Sequence, residues 1–147
     1  MIETHIRELG PEDYDAIIAL WQRAGLHSIR PHGRDSRAAI TRQLETGIQK
    51  ILGLEVEGRL VGAVVTTHDS RKGWINRLAV DPAARRHGYG SQLLKAAEEA
   101  LHAQGMLIIA ALIESDNPAS LELFEKAGYL EIDAGMHYVS KRDDPSV

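Results

Sequence analysis

The sequence predicts a mixed α/β (α+β) domain, a central sheet of about seven strands flanked by four helices. Apolar positions switch repeatedly between alternating runs and i, i+3, i+4 stripes, in the order β-α-α-β-β-β-α-β-α-β-β. Residues 78–91 join an apolar strand end to an amphipathic helix through a proline, a basic cluster and two glycines. No internal repeat, low-complexity segment or linker divides the 147 residues, so 1–147 reads as a single domain. A chain of this length buries roughly 70% of its unfolded surface.

The elements follow in order. Ile6 and Leu9 belong to a short first strand. Pro11, Glu12 and Asp13 open a helix, with the acids at the positive end of its dipole. Ile17, Leu20, Trp21 and Ala24 continue at helical spacing, and Gly25 ends the run. Trp21 sits on the apolar stripe, which favours core packing over a ligand platform. Residues 27–34 are irregular and basic. Asp35 or Ser36 caps a second helix carrying Ile40, Leu44 and Ile48.

Strands are expected at 50–56 and 60–67, joined by Glu57-Gly58-Arg59, then at 74–80. The helix from Gly90 turns Leu93, Leu94, Ala97 and Leu101 inward. Residues 106–113 are almost wholly apolar, as a strand covered on both faces should be. Asp116 or Asn117 caps a last helix with Pro118 in its first turn. Residues 129–133 and 136–141 are expected to close the chain as a hairpin, and 142–147 to fray.

Composition narrows the function. Hydrophobic content of 44% and charged content of 26% are ordinary for a soluble protein, and the formal charge of −4 gives no drive toward nucleic acid or anionic membrane. The absence of cysteine excludes disulfides, a thiol nucleophile and Cys-ligated metal sites. No basic-then-apolar leader opens the sequence and no apolar run approaches 18 residues, so a cytoplasmic protein is expected.

Residues 78–91 suit an anion. A helix N-terminus presents unpaired N–H groups, and Arg85, Arg86 and His87 stand beside it. A Walker A loop is excluded because Gly88-Tyr89-Gly90-Ser91 lacks the spacing and the Lys. A Rossmann fingerprint is excluded because Leu93 occupies the third glycine position.

What remains is Arg85-x-x-Gly88-x-Gly90 opening an amphipathic helix directly after Leu78-x-Val80-x-Pro82. With it, Asn117-Pro118-Ala119-Ser120 through Gly128-Tyr129 resembles the second motif of the GNAT superfamily of acyl-CoA-dependent N-acyltransferases, and nearly the whole chain is similar to that family. The resemblance implies a mostly antiparallel GNAT-like sheet and acetyl-CoA, or CoA, as co-substrate without a metal. It implies cofactor contacts at Leu78, Ala79, Val80, Arg85, Arg86, His87, Gly88, Tyr89, Gly90, Ser91, Asn117 and Phe124. Backbone groups of Leu78 and Val80 would pair with the pantetheine arm as an added strand. Tyr89 stands where the family usually has an aliphatic residue, so packing is its expected role.

The implied reaction is acetyl transfer to a primary amine of a small molecule or peptide. A lysine-like amine, pKa about 10.4, costs roughly 4–5 kcal/mol to deprotonate at pH 7; an α-amino group costs only about 1 kcal/mol. Base candidates are Glu114, His68 and Asp69, with Asn76 as a water holder. Two departures stand out: Trp74 and Leu112 occupy positions where branches of the family carry glutamates. A third is Phe124, where many members have a proton-donating Tyr. Tyr138, Tyr89 or water could take that part, because a thiol of pKa about 8.5 leaves tolerably as thiolate.

Arg30, His32 and Arg34, with His27 and Arg37, make the connection between the first two helices cationic. They point to a substrate bearing a carboxylate or phosphate, against a plain solvated loop. No carboxylate or third His completes a metal set around His27 and His32. The alternative function is a non-catalytic CoA-binding module, and the apolar C-terminal strands leave a homodimer open.

Overall fold

The computed structural model describes residues 3–132 and 136–146. Its elements are β1 (Thr4–Leu9), α1 (Tyr14–Arg23), α2 (Arg37–Glu45), β2 (Lys50–Val56), β3 (Arg59–His68), β4 (Gly73–Val80), α3 (Tyr89–Ala103), β5 (Ile109–Ala110) and α4 (Pro118–Lys126). Short 3-10 turns precede α1 at Pro11–Asp13 and α3 at Pro82–Ala84.

One five-stranded sheet has the spatial order β1-β2-β3-β4-β5. The first three pairings are antiparallel and β4–β5 is parallel. A parallel step needs a crossover, and α3 supplies it. The β2–β3 hairpin turns on Glu57 and Gly58, at φ 51° and 78°. Two consecutive left-handed residues are what a tight hairpin matched to strand twist requires.

Two cores lie on the sheet. Ile17, Leu20 and Trp21 of α1 pack with Leu9, Ile51, Ala63 and Val65. Leu93, Leu94, Ala97 and Leu101 of α3 pack with Leu52, Leu54, Val64 and Ile75. Neighbouring residues of β3 thus serve opposite cores, which is why that strand reads as a continuous apolar run. Glycines set the height of α3. A Cβ at Gly62 would lie 2.8 Å from Leu93, and one at Gly73 2.9 Å from Leu101.

The C-terminal third differs from expectation. The strand expected at 106–113 is limited to Ile109–Ala110. Leu107 is 91% and Leu112 67% exposed, so it is not covered on both faces. Residues 129–132 and 136–141 are described without strand structure, and the expected hairpin is not formed there; Asp133 lies outside the described residues. Alternating apolarity permits a strand, but a strand also needs a partner edge. β5, two residues long, offers little edge for residues 136–141 to extend. No helix among the described residues is long and apolar enough to cross a membrane.

Two buried or half-buried carboxylates tie the fold to pH. Arg7 donates to Asp13 at 2.8 Å and to Glu55 at 2.9 Å. Asp81 accepts from the Ala83 N–H and from Arg23. The Arg7 guanidinium holds the Asp13 carboxyl below its ordinary 3.8, and the Ala83 N–H, then Arg23, do the same for Asp81. A carboxyl depressed on folding contributes stability that is complete above its unfolded pKa and is lost as pH falls through the folded one. Urea midpoints are therefore expected to fall below about pH 4, and Asp13→Asn with Asp81→Asn to flatten that acid limb.

Candidate active site

The turn expected to hold phosphate begins where β4 ends. Asp81 accepts from Ala83 N at 2.9 Å and fixes the Pro82–Ala84 turn. Arg86, φ 69°, and Gly88, φ 77°, then reverse the chain into α3. The first bond of the helix runs from Gln92 N to Gly88 O, so the N–H groups of Tyr89, Gly90 and Ser91 have no partner within it. The two glycines serve different needs. Gly88 supplies the left-handed cap, with open space where a Cβ would be; at Gly90 a Cβ would come within 3.3 Å of Leu123 of α4.

Next to this turn, β4 breaks its ladder. Ala63 pairs with Ala79 and Val65 with Asn76, leaving Arg77 and Leu78 opposite Val64 alone. Arg77 takes φ 49° at this bulge. A bulge takes its extra residue out of the ladder and re-aims the side chains around it.

Bulge and turn share a cavity of about 1190 Å³. Among the residues expected to hold a cofactor, Leu78, Ala79, Val80, Arg85, Arg86, Gly88, Tyr89, Gly90, Asn117 and Phe124 line it; His87 and Ser91 do not. Asn76, Glu114 and Tyr138 line it too, and so does Arg34, whereas Arg30 and His32 do not. The donor set suits a diphosphate: free helix N–H groups, a glycine cap and two guanidinium side chains on one wall.

His68 and Asp69 lie outside the cavity. His68 Nδ1 accepts from Ser70 N, and Asp69 accepts from Arg71 N and Lys72 N at 2.9 Å. Those N–H groups hold the Asp69 carboxyl below its ordinary value. Both side chains close a turn.

α4 begins at Asn117, whose Oδ1 accepts from Ser120 N at 3.2 Å. Phe124 is 4% exposed and meets Tyr129 edge-on at 4.9 Å between ring centres. The Tyr129 hydroxyl donates to Glu98 at 2.8 Å, and burial and that carboxylate push its pKa above the ordinary phenol value. Tyr89 is buried at 8% and touches His87 edge-on. Tyr138 lines the cavity while remaining 78% exposed.

Sequence reasoning missed one pair. Of the two residues expected to cap α2, Asp35 or Ser36, Ser36 does so, accepting from Ala39 N at 3.1 Å. Asp35 turns inward, 2% exposed, and accepts from Arg77 Nη1 at 2.6 Å and Nη2 at 2.9 Å. The Arg77 guanidinium also stacks 4.6 Å above the ring of Trp21. Trp21 is fully buried in the α1 core and still forms part of the cavity wall, its Nε1–H without an acceptor. A charged residue inside an apolar strand was the signal available for Arg77.

The sequence profile of the acetyltransferase (GNAT) family matches residues 14–129. An acetyltransferase of Pectobacterium atrosepticum is 33% identical over 128 residues, which cover 87% of this chain and 89% of that protein. Two solved structures are similar in fold. The PaiA N-acetyltransferase of Thermoplasma acidophilum, in complex with coenzyme A, gives a TM-score of 0.78 at 19% identity, covering 89% of this chain and 92% of that one. The AAC(6')-Iy enzyme with a bisubstrate analogue, CoA-S-monomethyl-acetylneamine, gives 0.79 at 16% identity, covering 95% and 99%.

Proposed function

Because the chain belongs to the acetyltransferase (GNAT) family and is thereby an acyltransferase using acetyl-CoA, we propose that the cavity beside β4 transfers the acetyl group to a primary amine of a small molecule or peptide. One observation carries this reading. The bulged strand, the phosphate turn and the polar groups Asn76 and Glu114 all open into a single cavity.

Arg85, Arg86 and the first N–H groups of α3 hold the diphosphate, each charged hydrogen bond contributing about 1.5–3 kcal/mol. Backbone groups of Leu78, at the bulge, and of Val80, back in the ladder opposite Gly62, take the amide-bearing arm as a strand edge takes a peptide. Acetyl-CoA supplies an activated thioester. The protein must free the amine of its proton and keep it oriented. Glu114, directly or through a water held by Asn76, takes the proton. With Phe124 in place of a hydroxyl, the sulfur leaves as thiolate or is protonated by water or Tyr138.

The acceptor enters from the α1–α2 side, between Trp21, Ser28, Arg34 and Asp35. In the AAC(6')-Iy structure the acceptor half of the analogue is an aminoglycoside fragment. A polycationic acceptor of that kind fits poorly against Arg34.

The test is calorimetric titration with CoA, followed by thiol release from acetyl-CoA across a panel of amines. Arg85→Ala is expected to weaken CoA binding by about 10- to 100-fold, and Gly88→Val by at least as much. The melting temperature of the free protein should move little for Arg85→Ala. Amine-independent thiol release, or CoA binding with no turnover on any amine, would sink the proposal.

A further inference from the structure

We propose that the acceptor carries a small oxyanion, carboxylate or phosphate, close to its amine, and that Arg34 is the side chain that holds it. This rests on the acetyl-transfer reading above and adds the substrate class.

At the acceptor end of the cavity the Arg34 and Arg77 guanidinium groups meet one buried carboxylate, Asp35, which also accepts from the Arg30 backbone N–H. That carboxylate is already spent. Its Oδ1 accepts from Arg77 Nη1, and its Oδ2 accepts from Arg77 Nη2 and from the Arg30 backbone N–H at 2.7 Å. Arg34 Nε stands 3.9 Å from Oδ2, beyond hydrogen-bonding distance.

The other two guanidinium groups are committed. Arg77 gives its fork to Asp35 and a further bond to Ser28 O at 3.2 Å, while Arg30 Nη1 donates to the carbonyls of His27 and Ile29. Among the described residues the Arg34 guanidinium has a single hydrogen bond, from Nη2 to Ser28 O at 3.0 Å. An arginine fork has five N–H donors, so the Nη1 edge and the second hydrogen of Nη2 are left for a bidentate partner.

Burial lowers the basicity of Arg34, and the charges of Arg77, Arg142 and Arg30 lower it further against the opposing pull of Asp35. An oxyanion arriving at Arg34 relieves that repulsion. The side chain is 41% exposed, open enough to receive a ligand from solvent.

Polarity fixes the orientation. Glu114 lies on the α4 bank of the cavity and Arg34 on the α1–α2 bank, with no ion pair between them among the described residues. An ammonium is drawn to the first and an oxyanion to the second. A diamine or polyamine meets Arg34 with the wrong sign.

The test pairs amino acids with their decarboxylated amines, and adds 2-aminoethyl phosphate as the phosphate arm. Two readouts are taken: steady-state acetyl transfer, and calorimetric binding of each compound to the CoA-loaded protein, which does not depend on turnover. Compounds bearing an oxyanion are expected to bind about ten-fold or more tightly than matched amines, and the better of the two arms identifies the group.

Arg34→Ala is expected to raise KM for them about 10- to 100-fold with kcat nearly unchanged, and Arg34→Lys to restore part of it. KM for acetyl-CoA and the melting temperature should stay constant, and KM for decarboxylated amines should not rise. Equal binding of matched pairs, or an Arg34→Ala effect shared by all amines, would overturn the proposal. Binding of oxyanion compounds that is lost in Arg34→Ala while no amine is acetylated would instead count against the acetyl-transfer reading alone.

Discussion

Asp35→Ala is expected to lower the unfolding free energy by about 3–5 kcal/mol, because it strands a guanidinium that the fold keeps half-buried. The Arg77 side chain is only 16% exposed and that of Asp35 3% exposed. Removing the carboxylate leaves Arg77 over Trp21 with no counter-charge and takes the acceptor from the Arg30 N–H. For a domain of this size that is a fall of roughly 10 °C or more in melting temperature. The bond from the Tyr14 hydroxyl to the Asp35 carbonyl, 2.6 Å, is untouched, so the helix entry should persist. Calorimetry should also show the double variant Asp35→Ala, Arg77→Met recovering much of the loss, since it removes both charges. A single-variant loss below about 1 kcal/mol would mean that the pair is solvated in solution.

Glu114→Gln is expected to lower kcat about 10²- to 10⁴-fold for amines of lysine-like basicity, with CoA affinity unchanged. The size of the effect should depend on pH in a definite direction. An amine of pKa about 10.4 is almost wholly protonated at pH 7 and needs the base most; as pH rises toward that value the free amine supplies itself. The ratio of wild-type to variant rate should therefore shrink as pH rises. It should be smaller throughout for an α-amino acceptor of pKa about 7.7–8.0. A ratio that is the same for both amine classes at every pH would remove Glu114 from the proton path.

Much of this site could be read directly, for local reasons. A left-handed helix cap, a close contact with α4 and the tight turn into α3 constrain Gly88, Gly90 and Arg85 within a few residues of chain, so their spacing is legible as a motif. Asn117 and Pro118 mark the start of α4 in the same way. Asp35 and Arg77 could not be paired from sequence, because they meet across 42 positions and Asp35 has a plausible local use one residue from the true cap. Residues 130, 132, 136 and 138 carry a strand-like pattern, yet pattern alone does not supply the neighbouring edge on which a strand depends.

The bulge at Arg77 has a second consequence, of parity. Ile75 packs under α3 and Ala79 under α1, on opposite sides of the sheet, although four residues separate them. In an unbroken strand an even separation keeps two side chains on one face. The extra residue inverts the count, so that the alternation between the two cores changes phase between the halves of β4: Leu78 and Val80 join Ile75 on the α3 side, and Ala79 faces α1. Deleting it to restore a continuous ladder would turn one of those halves inside out. The irregularity that breaks the ladder beside the cavity is thus also the point at which the strand's odd and even residues exchange faces.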